Sequence, residues 1–151
     1  SEKGLDFHKR WEGFRSSPYL DVAGVPTIGY GSTWYLDGRK VTMADKPITE
    51  HEATMLMERV IEKFEDQVNR MVRSKITQNQ FDALVSFTYN LGPGALLRST
   101  LLKKVNHDPN EATIPNEFTK WTKAGGIHFR GLARRRLQEA FIYEFGYTFT
   151  F

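Results

Sequence analysis

The run Trp11-Glu12-Gly13-Phe14-Arg15-Ser16-Ser17-Pro18-Tyr19-Leu20-Asp21-Val22-Ala23-Gly24-Val25-Pro26-Thr27-Ile28-Gly29-Tyr30-Gly31 decides how this chain folds. It holds two carboxylates and a hydroxyl, Glu12, Asp21 and Thr27, in the order Glu-x8-Asp-x5-Thr. Just upstream, Phe7, Trp11 and Phe14 recur at i, i+4 and i+7, the spacing of a helix stripe that faces a core. A helix is predicted over 5–14, and at about 100° per residue Glu12 points away from that stripe. Gly13 offers a helix stop, and Pro18 turns the chain extended. Tyr19-Leu20 then reads as a short strand ending at Asp21, Val22-Ala23-Gly24 as a turn, and 25–30 as a second strand carrying Thr27. A helix end, a strand end and a strand converge on one spot.

That set of groups suits one reaction class. Hydrolysis of a glycosidic bond needs a protonated carboxyl for the leaving oxygen and an ionised carboxylate on the other side of the sugar. A carboxylate that activates water stands about 6.5–9.5 Å from the acid, and one that attacks directly about 5–5.5 Å. A hydroxyl beside it can hold the water. Taken singly, the same residues also fit a solvated helix glutamate, an aspartate capping a turn and a β-branched strand threonine.

The residues between them narrow the choice. Glu-Gly-Phe-Arg from Glu12, Pro-Tyr-Leu-Asp from Pro18 and Gly-Val-Pro-Thr-Ile-Gly-Tyr-Gly from Gly24 closely resemble the catalytic segment of phage-type lysozymes, the endolysins of glycoside hydrolase family 24. The resemblance implies that Glu12 is the general acid and that Asp21 and Thr27 work on the opposite face of the sugar.

Composition is compatible with this. The chain has 151 residues, 40 % hydrophobic and 26 % charged, which bounds it to one compact domain or two small lobes sharing a helix. No apolar run reaches the roughly 18 residues of a membrane span, and no signal peptide is visible, although the chain starts at Ser1 and not at Met. With no cysteine, neither a disulfide nor a thiolate enters the account. A net charge of +3 favours polyanionic partners, of which nucleic acid and the bacterial wall both qualify.

Further along, Asp37-Gly38 is a hairpin signal, so a three-stranded antiparallel sheet is predicted over about 19–42. Thr49 to Glu52 is a capping box opening a helix over about 50–73, whose stripe runs through Ala53, Leu56, Met57, Val60, Ile61, Phe64, Val68 and Met71. A second box, Thr77 to Gln80, opens a helix that Gly92-Pro93-Gly94 stops. Leu97, Leu101, Leu102 and Val105 mark another helix, Phe118 and Trp121 a short one, and Ala124-Gly125-Gly126 a loop. A last helix is predicted over about 131–145, with Leu132, Arg136, Ala140 and Tyr143 in register and Leu137, Phe141 and Phe145 alongside; the aromatic tail from Tyr147 to Phe151 should dock on the body. The fold class expected is therefore α+β: a lysozyme-like fold of two lobes, the small one over about 14–48 and the helical one over about 74–151 together with the N-terminal helix, joined by the long helix.

The second half also resembles the family, in Phe-Asp-Ala-Leu-Val-Ser-Phe-Thr-Tyr-Asn-Leu-Gly-Pro-Gly-Ala from Phe81, Ser-Thr-Leu-Leu from Ser99, Trp121 with Gly125-Gly126, and Gly-Leu-Ala-Arg-Arg-Arg from Gly131. By that resemblance Tyr89, Asn90 and Lys120 would border a cleft opposite Tyr30 and Gly31 and bind substrate. One departure is His8, four residues before the acid, where the family usually carries an apolar residue; a neutral ring packed in its place is expected, with no part in catalysis.

Rival readings are weaker. Arg134, Arg135 and Arg136 point in different directions on a helix and make no groove-reading face for nucleic acid. His8, His51, His107 and His128 lack metal-ligand spacing. No helix with Lys-Ser/Thr follows Gly29-x-Gly31, so it is no phosphate loop. A wall-binding module without catalysis would have lost Glu12 or Asp21. A lytic transglycosylase acts on the same bond without water, against the Asp21–Thr27 pair. The resemblance thus implies a monomeric muramidase of the endolysin type, cofactor-free, made in the host bacterial cytoplasm and acting on peptidoglycan in the periplasm to lyse the cell.

Overall fold

The computed structural model describes residues 1–148. Backbone proximity divides the chain into Glu2–Lys63 and a second compact unit running from Phe64 onward with Ser1. The division falls inside one long helix.

In the first unit, α1 (Glu2–Glu12) ends where the Gly13 N–H closes onto the Lys9 carbonyl at 2.9 Å. Its buried face is Gly4, Phe7 and His8; Trp11 is half-buried, and Phe14, expected on the stripe, lies past the helix and is exposed. β1 (Arg15–Leu20) pairs antiparallel with β2 (Pro26–Gly29) through Tyr19↔Thr27 and Leu20↔Pro26. The register slips between Arg15 and Tyr19, where Pro18 has no N–H to give to the ladder.

The expected third strand does not form. The chain reverses over residues 28–32, with Ile28 and Ser32 exchanging both backbone hydrogen bonds, and reverses again at Asp37-Gly38, where Tyr35 N–H meets the Arg39 carbonyl. The two reversals follow closely, and between them the chain pairs only through an isolated bridge, Trp34↔Lys40, and the Val41 N–H to Thr33 carbonyl bond beside it. Gly29 sits where β2 meets the long helix. Its φ is +68°, and a Cβ there would lie 2.9 Å from the Cβ of Ala53. Ile28, Val41 and Leu56 form the small core below, with Tyr35 and Ile48 against it.

α2 (Glu50–Met71) opens with the predicted box: Thr49 Oγ1 accepts from Glu52 N–H at 3.1 Å, and Glu52 Oε1 accepts from Thr49 N–H at 3.3 Å. In the second unit, α3 (Gln78–Leu91) carries the second box, complete in both directions. α4 (Pro93–Leu97) and α5 (Thr100–His107) divide what the sequence reads as one helix. Ser99 caps α5 by accepting from Leu102 N–H, and Leu97 is left exposed on α4. α6 (Ile114–Phe118) brings Phe118 against Phe87 and Tyr143, with ring centroids 5.8 and 5.5 Å apart. The expected loop at 124–126 is the turn of a two-residue hairpin, β3 (Lys123–Ala124) with β4 (Ile127–His128). α7 (Arg130–Phe145) closes the described chain. Tyr147 docks as expected, its hydroxyl donating to Asp82 at 2.8 Å; Phe149, Thr150 and Phe151, the rest of that tail, lie outside the described residues. With a helical bulk and two small antiparallel sheets, the class is α+β.

Candidate active site

The three residues singled out for catalysis all lie in the first unit. Glu12 is the last residue of α1, half-buried, and its carboxylate rests against the backbone of Gly31. A Cβ on Gly31 would stand 3.4 Å from Glu12 Oε2, and the φ of +89° there is one that side chains rarely adopt. Gly31 therefore contributes by close approach of its backbone to the carboxylate.

Asp21 follows β1 directly and is locked into the turn after it. Its N–H donates to the Val25 carbonyl at 3.0 Å, and its own carbonyl accepts from Gly24 N–H at 2.9 Å. The side chain joins the turn as well: Oδ1 accepts from Ala23 N–H at 2.8 Å and from Val25 N–H at 2.9 Å. Both bonds fall on one oxygen, and Oδ2 accepts no hydrogen bond among the described residues. Thr27 is 3 % exposed, and its hydroxyl donates to the Val25 carbonyl at 2.8 Å. A carbonyl only accepts, so the threonine proton is committed and Oγ1 is left as an acceptor. Val25 thus holds both side chains, Asp21 through its N–H and Thr27 through its carbonyl.

Tyr19 belongs with this group and is missed by sequence reasoning. It pairs across the ladder with Thr27, so the two side chains share a face of the sheet. The Arg15 guanidinium lies 4.5 Å from its ring centroid. Burial pushes the Tyr19 hydroxyl above its ordinary range; Arg15 opposes this, and the charges of Glu12 and Asp21 reinforce it. Tyr19 therefore sits in the field of both carboxylates and stays protonated as a donor. The signal available in the sequence was its place two residues before Asp21 on the strand that leads to it.

Tyr30 is 4 % exposed. Its hydroxyl donates to Glu50 Oε1 at 2.7 Å, Phe14 packs on its ring, and burial with the Glu50 contact pushes its pKa to about 12. The side chain is a support that anchors the turn carrying Gly31.

Tyr89, Asn90 and Lys120 lie in the second unit. Tyr89 is half-buried, edge-on to Phe64 with ring centroids 5.3 Å apart. Lys120 donates to both oxygens of Glu117, which also binds Lys104. Burial opposes ionisation of Glu117, but the two lysines together hold its pKa below the usual range. Asn90 Oδ1 accepts from Arg136 Nη2 at 2.9 Å, which turns the amide N–H groups of Asn90 away from the arginine.

Behind Asn90 is a buried charged cluster. Arg135 is 4 % exposed, and Arg136 and Glu139 are fully buried. Arg136 Nη2 donates to Glu139 Oε2 at 3.0 Å, while Nε lies 2.6 Å from Oε1 but out of line for a hydrogen bond, a contact of charge alone. Ser86 donates to the same carboxylate, and the Arg136 guanidinium stands over the Phe87 ring at 5.3 Å. Arg136, in register with Leu132, Ala140 and Tyr143 by its spacing, is thus a core residue, and so is Arg135 beside it, both paired with Glu139 of the same helix.

Among the described residues no three of His, Cys, Asp and Glu gather as metal ligands, and no helix is long and apolar enough to cross a membrane. The phage lysozyme family model matches residues 9–139. The endolysin of Bacillus phage B103 is 38 % identical over 146 residues, which cover 97 % of this chain and 54 % of that protein. The endolysin of Salmonella phage P22 is 36 % identical, covering 93 % of this chain and 94 % of that protein. The chain therefore spans about half the length of its Bacillus phage relatives and nearly all of the P22 one. Among solved structures, the endolysin from Escherichia coli O157:H7 phage FAHEc1 superposes with a TM-score of 0.86 at 40 % identity, covering 95 % of this chain and 91 % of that one.

Proposed function

Because this chain belongs to the phage lysozyme family, we propose that it is a muramidase of the endolysin type, hydrolysing the β-1,4 bond from N-acetylmuramic acid to N-acetylglucosamine in bacterial peptidoglycan. The observation that carries the proposal is the one turn that fixes Asp21 and Thr27 together, beside a carboxylate held at Gly31. Glu12 gives its proton to the glycosidic oxygen as that bond breaks. Water donates one hydrogen bond to Asp21 Oδ2 and one to Thr27 Oγ1, both acceptors in this geometry. With both its hydrogens so held, a lone pair of the water oxygen faces the anomeric carbon on the side away from the leaving group. Asp21 takes the proton as the new C–O bond forms, and the configuration inverts.

Gly31 binds the glycan through its backbone, and Tyr30 supports it from beneath. Tyr89, Asn90 and Lys120 are the proposed contacts from the second unit, with the amide N–H groups of Asn90 available to a sugar acetamido oxygen. The biological consequence is degradation of the wall from the periplasmic side, by a protein made in the bacterial cytoplasm that works as a monomer.

Turbidity loss on Gram-negative cells with permeabilised outer membranes tests the reading. The wild type clears the suspension. Glu12→Gln keeps the size of the side chain but supplies no proton, and general acid catalysis is worth about 10²–10⁴-fold. The variant should fall by at least the lower figure with an unchanged circular dichroism spectrum. Retention of a third of the wild-type rate would remove Glu12 from the mechanism.

A further inference from the structure

No step of the proposed hydrolysis uses the charged cluster buried between α3 and α7, and stability alone does not account for it. Arg136 and Glu139 are 0 % exposed, and so is Ser86, which donates to Glu139. Arg136 keeps a buried Nη1 that finds no acceptor among the described residues, and its guanidinium lies over the Phe87 ring at 5.3 Å. A buried pair of this kind gains little or nothing over two apolar side chains of the same volume.

What the cluster accomplishes lies at its edge. Arg136 Nη2 donates to Asn90 Oδ1 at 2.9 Å. A guanidinium has donors only, so it accepts one of the two orientations open to an amide. The carbonyl oxygen of Asn90 turns to the arginine, and Nδ2 turns away from it. Arg136 is itself held in place, because Nη2 also donates to Glu139 Oε2 at 3.0 Å and Ser86 donates to that same oxygen. Ser86, Glu139 and Arg136 thus form a buried chain that ends on a half-buried amide. Asn90 Nδ2 donates to no acceptor among the described residues. The side chain therefore offers a ligand two N–H donors and no acceptor.

We propose that Arg136 is a positioning residue: locked by Glu139 and Ser86, it fixes Asn90 as a pure donor. Such a donor recognises the carbonyl oxygen of an N-acetyl group on the glycan. It rejects the protonated amine of a de-N-acetylated sugar, which has nothing to accept with. The proposal rests on the muramidase reading and deepens it, by naming the buried group that sets this choice.

The test uses two soluble polymers, glycan strands partly de-N-acetylated and the same strands re-N-acetylated. Wild-type KM should be lower on the re-acetylated strands. The double variant Arg136→Met/Glu139→Leu removes one charge of each sign and fills the space with apolar atoms, a replacement that buried pairs tolerate. It leaves the Asn90 amide free to turn over. Its preference for the acetylated polymer should shrink about fivefold, the worth of one hydrogen bond, through KM and with kcat within about twofold. Asn90→Asp still accepts from Arg136 but has no donor, and a carboxylate accepts from an ammonium, so this variant should lose the preference outright. A merely structural role would lower the rate on both polymers together and leave the preference intact. That result, or an unchanged preference in Asn90→Asp, would overturn the proposal. Nitrogen relaxation by NMR should show the wild-type Asn90 side-chain amide as rigid as the backbone around it. Its protons should shift on addition of chitotetraose and stay put with the glucosamine tetramer. An amide that turns freely, or that responds to neither oligomer, would overturn the proposal as well. The NMR readings need neither turnover nor a variant, so a wild type that cleaves neither polymer refutes the muramidase reading while they still decide the role of Arg136.

Discussion

At the scale of single residues, the site is more readable from sequence than the side chains that support it. Glu12, Asp21 and Thr27 stand out because the segment around them is distinctive, and the structure puts them in one compact unit with Gly31. Tyr19 escapes that reading, since a tyrosine on a short strand is ordinary until its pairing with Thr27 is known. Removing its hydroxyl should cost about one net hydrogen bond, roughly fivefold in kcat, with the melting temperature unmoved; a Tyr19→Phe enzyme at full rate would make the hydroxyl a bystander. Arg135 and Arg136 are the larger surprise. Three consecutive arginines point in different directions, and although spacing sets Arg136 in register with Leu132, Ala140 and Tyr143, only the fold reveals that Glu139, Ser86 and Asn90 wait for two of them. Burial pulls Arg136 below its ordinary pKa, Glu139 resists, and Arg135 adds to the pull. Arg136→Met takes away the better-placed partner of a fully buried carboxylate, so it should cost about 3–5 kcal/mol in urea unfolding. A loss under 1 kcal/mol would mean that Arg135 alone satisfies Glu139. His8, read as a ring in an apolar place, is indeed 2 % exposed, with its ring edge-on to Phe7.

At the scale of elements, legibility follows the amount of local chemistry each one carries. α2 and α3 are announced by capping boxes, and both boxes form, because a hydroxyl and a carboxylate or amide three residues apart satisfy backbone groups without help from the fold. The third strand fails because the chain reverses over 28–32 and again at 37–38, so that isolated bridges form there in place of a ladder, and a hairpin with strands of two residues such as β3–β4 is too short to show any period. α7 mixes buried arginines and a buried glutamate into its inner face, so hydrophobic spacing alone misplaces Leu137 and Phe145, which are exposed. Two tests belong here. Gly29→Ala would strain a left-handed position and press a methyl against Ala53, at a combined cost of about 3 kcal/mol; a neutral effect in urea unfolding would show that β2 moves off α2 freely. The loop before α2 carries the second. The Thr42 backbone N–H, the Thr42 hydroxyl and the Tyr35 hydroxyl all donate to Asp45, holding its carboxyl at about 2 against an ordinary 3.8. A carboxyl depressed in the folded state gives stability that is present above its unfolded pKa and lost as pH falls through the folded one. The urea midpoint of the wild type should therefore drop between about pH 4 and pH 2, and Asp45→Asn should flatten that drop. An identical acid limb in the variant would remove Asp45 from the account.

At the scale of the whole molecule, the sequence predicts a long helix between two parts, and backbone proximity does divide the chain within α2, after Lys63. It places α1 with the sheet, whereas the sequence reading groups α1 with the helical half: a helix periodicity tells which face is buried but not which partner buries it. The five residues proposed for the first unit and the three for the second each keep their own supports, Val25 and Glu50 in one, Arg136 and Glu117 in the other. What unites them is the proposed reaction, and its signature is in the products. Purified peptidoglycan digested to completion and analysed by mass spectrometry should give N-acetylmuramic acid at a reducing end, and proton NMR in the first minutes should show the α-anomer before mutarotation. A 1,6-anhydro end would mean that no water enters the reaction, and an early β-anomer would mean that Asp21 attacks the sugar itself; either result would contradict a water held between Asp21 and Thr27.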